Sequence, residues 1–180
     1  MRWRENICRR FARSTRGVAA IEFAMIMPVF LLLFLASIDA GRAIAIYMKV
    51  RSATFSLDAM ANQYTTIHDT DMQQILGATS VVMAPYSISP VAVVISEIAV
   101  SAAGKATVTW SDTLKGTARA VGSPVNIPAT LATPNTTLIL GEVSYKYTPL
   151  FGYFSVGAIT FADNLYVAPR SVASITRLSP

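Results

Sequence analysis

The chain has one cysteine, Cys8, and one histidine, His68, in 180 residues. A single thiol rules out a disulfide within the chain. A lone imidazole flanked by Asp69 and Asp71, with no other His or Cys near it, lacks the set of nitrogen and sulfur ligands that a zinc site needs. His68 is therefore read as a solvated residue at a helix entry, and no metal is expected. No glycine-rich loop has phosphate-binding spacing, and the scattered serines and aspartates supply no nucleophile, base and orienting group together. These absences point away from an enzyme and from any cofactor.

Charge is also scarce. Charged residues make up 14% and hydrophobic residues 53%, against roughly a quarter charged in an ordinary soluble domain. The formal net charge of +5 is localised. Residues 1–17 hold six arginines against Glu5, and from residue 18 onward basic and acidic side chains balance. No surplus remains to build a basic face on a folded domain, so no nucleic-acid partner is expected.

What the chain does have is a basic leader followed by a membrane-length run. Arg2, Arg4, Arg9, Arg10, Arg13 and Arg16 lead into Gly17. The apolar stretch Val18–Ile38 is broken only by Glu22, Pro28 and Ser37. About 20 apolar residues suffice to cross a bilayer core as a helix. Asp39-Ala40-Gly41-Arg42 is a poor match to a small-residue cleavage site, which favours an anchor over a secretory signal peptide. The arginine cluster, Arg9, Arg10, Arg13 and Arg16 above all, should hold the amino terminus in the cytoplasm. The body from Asp39 onward then lies outside a bacterial inner membrane, periplasmic or extracellular, on a single pass. Pro28 removes one helical hydrogen bond and predicts a kink.

Beyond the run, Ala43, Ile46, Val50, Ala53, Leu57, Met60 and Tyr64 recur at spacings of three and four, an apolar stripe along one helix face. Arg42, Lys49, Arg51, Ser52, Ser56, Asp58 and Asn62 are expected off it. One helix from Val18 to about Tyr64, roughly 70 Å long, is predicted, with Gly41 its weak point. Thr70, with Gln73 three residues on, predicts a capping box for a second helix. Its apolar side is Met72, Ile75, Leu76, Thr79, Val82 and Met83, and Pro85 closes it.

After Pro90 the composition turns to β-branched and aromatic residues. Strands are predicted at Val91–Ser101, Lys105–Ser111, Thr137–Thr148 and Ile159–Ala168, the first two as a hairpin. Ala106, Val108 and Trp110 should share one face. So should Ile139, Val143, Tyr145 and Tyr147, and likewise Ile159, Phe161, Leu165 and Val167, with Asp163 the exception. Most of the aromatics, Tyr166 included, are expected in the core of the sheet. Phe151-Gly152-Tyr153-Phe154 is a candidate contact patch in a loop. Thr113–Thr136 has no period, and a loop that long is often functional or mobile. The fold class is α+β: a long amino-terminal transmembrane helix that extends outside, a short second helix and an antiparallel sheet of about four strands. The expected divisions are a leader at 1–17, a membrane helix at 18–40, an exterior helical region at 41–90 and a β domain at 91–180.

Residues 16–23 read Arg16-Gly17-Val18-Ala19-Ala20-Ile21-Glu22-Phe23. This resembles the processing site of type IV-like prepilins, which a prepilin peptidase cuts after the glycine. The pattern G-x-A-A-x-E-F-A, followed by Met27-Pro28-Val29-Phe30-Leu31-Leu32-Leu33, most resembles TadE-like pilus-assembly proteins, minor pseudopilins of the tight-adherence (Flp) system. Flp pilins usually carry Glu-Tyr where this chain has Glu22-Phe23, which favours the TadE-like branch. Pro169-Arg170 also fits that family. The resemblance implies a pilin-like fold and cleavage between Gly17 and Val18. It further implies an assembly role for Glu22 and Phe23, and as partners the lipid bilayer, a prepilin peptidase and other pilus-assembly subunits or pilins in a hetero-oligomer. An unpaired carboxylate is strongly disfavoured in low dielectric, so Glu22 would neutralise the new α-amine of Val18 or of a neighbour. The alternatives are an unprocessed anchored scaffold, or an adhesin-like binding protein using the 113–136 loop.

Overall fold

The computed structural model describes residues 16–151, 157–170 and 172–178; of Arg16 it describes the backbone. The leader arginines before Arg16 and the Gly152–Phe154 part of the aromatic patch lie outside the described residues. The chain divides into two compact units, Met1–Gly41 and Arg42–Pro180.

Helix α1, Arg16–Ala61, contributes to both units. In the first unit its large apolar side chains, from Val18 and Ile21 to Phe34, are exposed. The helix runs through Pro28 without interruption. It ends at Ala61, about one turn short of the expected Tyr64.

The second unit is an α+β domain. After α1 come β1 (Thr66–Ile67), α2 (Asp69–Met83), β2 (Val91–Val100), β3 (Ala106–Leu114), a 3₁₀ turn (Ala129–Leu131), β4 (Thr136–Tyr147), β5 (Ile159–Val167) and β6 (Thr176–Arg177). The main sheet has the order β3-β2-β4-β5, antiparallel throughout, and β1 pairs with β6 in parallel. The four long strands were legible in the sequence to within about three residues, whereas the two-residue β1 and β6 were not.

The inner core joins helices and sheet. Ile46, Val50, Ala53, Leu57 and Ala61 of α1 pack with Met72, Ile75, Leu76 and Met83 of α2 and with Val91, Val93, Ile95, Ile139, Val143, Tyr145 and Tyr147 of the sheet. Ile46, Val50, Ala53 and Leu57 belong to the predicted stripe; its Ala43, Met60 and Tyr64 are partly buried against this core, and Ala61 was not among the residues expected. Each such aliphatic side chain contributes roughly 1.5–3 kcal/mol by leaving water. Two residues expected off the stripe are on it: Asp58 is 0% and Asn62 2% exposed. They stand at i+4 and i+8 from Thr54, which is itself buried, so helical periodicity carries them inward with their neighbours.

Helix α2 begins two residues earlier than the Thr70 cap implied. His68 is its N-cap, and Asp71, not Gln73, is the N3 residue that reaches back: the His68 N–H donates to Asp71 Oδ2 at 2.9 Å. Asp69 and Asp71 sit in the first turn, where the helix dipole favours acid.

The predicted common face of β3 is split. Glu97 pairs with Trp110 but the next residue, Ile98, pairs with Val108, so Thr109 is an extra residue in β3. A β-bulge of this kind shifts the side-chain alternation. Trp110 consequently joins the inner core, while Ala106 packs with Ile98, Val100, Leu138 and Leu140 on the other side of the sheet. The aperiodic 113–136 stretch covers that outer face: Val125, Ile127 and Leu131 pack on it, as does Tyr166 of β5. The stretch is also tied to the edge of β3. The Gly122 N–H donates to the Val108 carbonyl at 2.8 Å and the Val125 N–H to the Ala106 carbonyl at 3.0 Å. Gly122 has φ +80°, a conformation that glycine adopts at no steric cost.

Candidate functional site

The amino-terminal candidates all lie in the first turns of α1. Arg16 is its first residue, with Gly17 and Val18 next. Arg9, Arg10 and Arg13 lie outside the described residues. Val18 and Glu22 are one turn apart at i and i+4, on one face, where Cβ atoms are about 5–6 Å apart. Glu22 is exposed, and so are its neighbours Ile21 (64%) and Phe23 (68%). A carboxylate thus stands among side chains that invite burial in lipid or protein. A Cβ added at Gly17 would meet nothing within 4 Å. Among the described residues, packing does not require glycine there.

The same helix contains an apolar window of mean hydropathy 2.5, none of it buried by the rest of the described chain. Among the described residues it is the one helix long and apolar enough to cross a membrane. It is a candidate single membrane span.

Among the described residues, the second unit buries two carboxyl groups, Asp58 and Glu97, that the sequence reading missed. Asp58 lies over Gly141 of β4: a Cβ there would fall 2.7 Å from the Asp58 carboxyl carbon. Among the described residues, neither Asp58 carboxyl oxygen has a hydrogen-bond partner, and the same holds for Asn62 Oδ1 and Thr79 Oγ1. Burial, with the nearby Asp163 carboxylate adding to it, pushes the pKa of Asp58 up to about 8. The carboxyl is thereby held largely in its neutral form at pH 7, the usual response of a buried acid without a cation. Its signal in the sequence was Gly141 in the interior of a strand, a mark of close approach by another element.

Glu97, 1% exposed, is by contrast fully engaged. It accepts from the Ile175 N–H at 2.6 Å, from Thr109 Oγ1 at 2.9 Å and from Ser174 Oγ at 3.2 Å. Trp110 Nε1–H donates to the Ile175 carbonyl at 2.9 Å. The backbone of Ile175 is held on both sides. Next to it, Arg177 donates to Asp112 at 2.8 Å and pairs with Asp69 of α2. This constellation fastens the carboxyl-terminal segment to the sheet and to α2. Among the described residues no cluster of three or more His, Cys, Asp and Glu could hold a metal.

Neither a curated protein nor a solved structure matches the chain. A family model does, over residues 17–56. That match begins at the glycine of the candidate cleavage site, takes in Val18, Glu22, Phe23 and Pro28, and continues into the part of α1 that packs on the sheet. Over residues 17–56 the chain is similar to the family described as TadE-like protein.

Proposed function

We propose that this chain is a non-enzymatic, membrane-anchored pseudopilin-like subunit that supports assembly of a Flp/Tad-type pilus or secretion apparatus. The observation that carries the reading is Glu22 exposed on an apolar helix, one turn from Val18, inside the TadE-like segment. Cleavage after Gly17 places a free α-amine on Val18. Glu22 of the same or a neighbouring subunit neutralises it, and an ion pair formed in low dielectric fixes the register in which helices dock. The chain acts in a bacterial inner membrane, with a cytoplasmic amino terminus and the second unit outside. Its partners are a prepilin peptidase and other pilus-assembly subunits or pilins, in a hetero-oligomer.

The intact mass of the protein recovered from membranes tests this. A mature chain starting at Val18 is expected, and Gly17→Phe should leave the leader in place. A mass that retains the leader would favour an unprocessed anchored scaffold. One observation favours that second reading: the Gly17–Val18 bond lies in the first turn of α1, and a peptidase would have to unwind it. Orientation is tested separately by a phosphatase fused after Pro180, which should be active, and one fused within the leader, which should not.

A further inference from the structure

At the end of the sheet where β4 finishes and β2 begins lies a cleft of about 360 Å³. Two cations line it, Arg42 of α1 and Lys146 of β4, with Tyr86, Tyr145, Pro85 and Pro90 completing the walls and no acidic residue among them. Burial pushes the Tyr145 phenol up, while Arg42, close enough to act on it, pulls the other way. Arg42 is the fourth residue after Ile38, the last of the apolar run, and α1 is continuous between them. At 1.5 Å per residue this puts Arg42 about 6 Å past the end of the run, at headgroup depth if the run spans the bilayer.

The same sheet end carries exposed aliphatic side chains. Ile88, just before β2, is 37% exposed, Leu150, just after β4, 57%, and Ile159, opening β5, 44%. A third cation, Lys115, donates to the Ile88 carbonyl at 3.4 Å. Tyrosines, basic groups and exposed aliphatics together make up the composition of a membrane–water interface.

From this juxtaposition we infer that the Arg42–Lys146 cleft binds the phosphate headgroup of an anionic phospholipid in the outward leaflet. The guanidinium and the ammonium hold the phosphate oxygens as charge-assisted donors, and the flanking Ile88, Leu150 and Ile159 settle into the upper acyl region. The inference rests on residues 18–40 spanning the bilayer.

The test is native mass spectrometry of the full chain, released from detergent after mixing with equal amounts of phosphatidylglycerol and phosphatidylcholine. Phosphatidylglycerol adducts are expected in excess, with each cleft cation contributing roughly fivefold. Arg42→Gln with Lys146→Gln should abolish the part of the excess owed to the cleft. Arg51→Gln with Lys105→Gln, which removes the same charge elsewhere, should leave it intact, and Arg42→Lys with Lys146→Arg should keep it. An unchanged preference in the first double variant would overturn the inference, as would an equal loss in the second. If millimolar inorganic phosphate displaces the lipid, the cleft takes a free anion and the lipid assignment falls. Carbonate extraction of membranes tests the anchor by itself: release of the chain would sink the membrane reading, whereas retention without a lipid preference would sink this inference alone.

Discussion

The carboxyl group of Asp58 occupies the space that any side chain at Gly141 would need. A Cβ at Gly141 would lie 2.7 Å from Asp58 Cγ and 2.8 Å from Oδ2, and both residues are buried in a packed layer. The helix can approach β4 this closely only because the strand has no side chain beneath Asp58. Gly141→Ala should therefore destabilise the detergent-solubilised full chain by roughly 1–3 kcal/mol, the usual cost of overpacking. In an Asp58→Ala background the same change should cost less, because the clashing group is gone. Denaturant melts of the four-protein cycle check this, and strictly additive effects would show that the two residues do not share the space.

Asp58 also makes stability depend on pH in a definite direction. Its folded pKa, raised to about 8, lies above the unfolded value of about 3.9. Between those values the folded state binds the extra proton, so stability falls as pH rises from about 4 to about 8, by at most ~1.4 kcal/mol per unit, and levels off above. Asp58→Asn cannot ionise and should flatten this slope. Melting curves at several pH values compare the two proteins; parallel profiles would mean that Asp58 is ionised in the fold or reached by solvent.

Glu97→Ala should strand the buried Ile175 N–H, which donates to the Glu97 carboxyl at 2.6 Å. Leaving a buried donor without an acceptor costs roughly 1–3 kcal/mol. The effect should be local first: amide exchange at Ile175 and Thr176 should quicken more than exchange at Ile95 or Ile139. Uniform acceleration across the sheet would contradict the assignment of Glu97 to the carboxyl-terminal segment.

Glu22→Leu should leave membrane insertion unchanged or improved, because it removes a charge from the apolar run. Under the proposed pairing it should nevertheless abolish support of piliation, while Glu22→Asp should keep part of it. Normal piliation with Glu22→Leu would reduce the carboxylate to an interfacial residue.

Much of this fold could be read from period alone. The stripe Ile46, Val50, Leu57 and the alternation Ile139, Val143, Tyr145, Tyr147 record which side of each element leaves water, and the structure buries those sides. Polar residues misled where they break the pattern. Asp58 and Asn62 read as solvent-facing because carboxyl and amide groups usually are, yet their helical phase put them inside. Thr109 hid a change of face, since one inserted residue leaves the local alternation intact while moving Trp110 across the sheet. The 113–136 stretch gave no period because it lies across a surface instead of along a ladder. Of the candidate site, Gly17, Val18 and Glu22 stood out through spacing, whereas the Arg42–Lys146 cleft joins residues about a hundred positions apart that only folding brings together.

The pairing of Thr66–Ile67 with Thr176–Arg177 sets an order on folding. Arg177 reaches back 110 positions to the Ile67 carbonyl, so the seam encloses α2 and the whole sheet within one loop. Closing such a loop is entropically costly until the strands inside have shortened it. A chain emerging from the ribosome can stack α1 on β2, β3 and β4 while Ile175 is still to be made. Until then Glu97 and Trp110 wait without their backbone partners. The second unit is thus completed only after synthesis has passed its last strand, which makes the carboxyl-terminal segment the last part to be fastened.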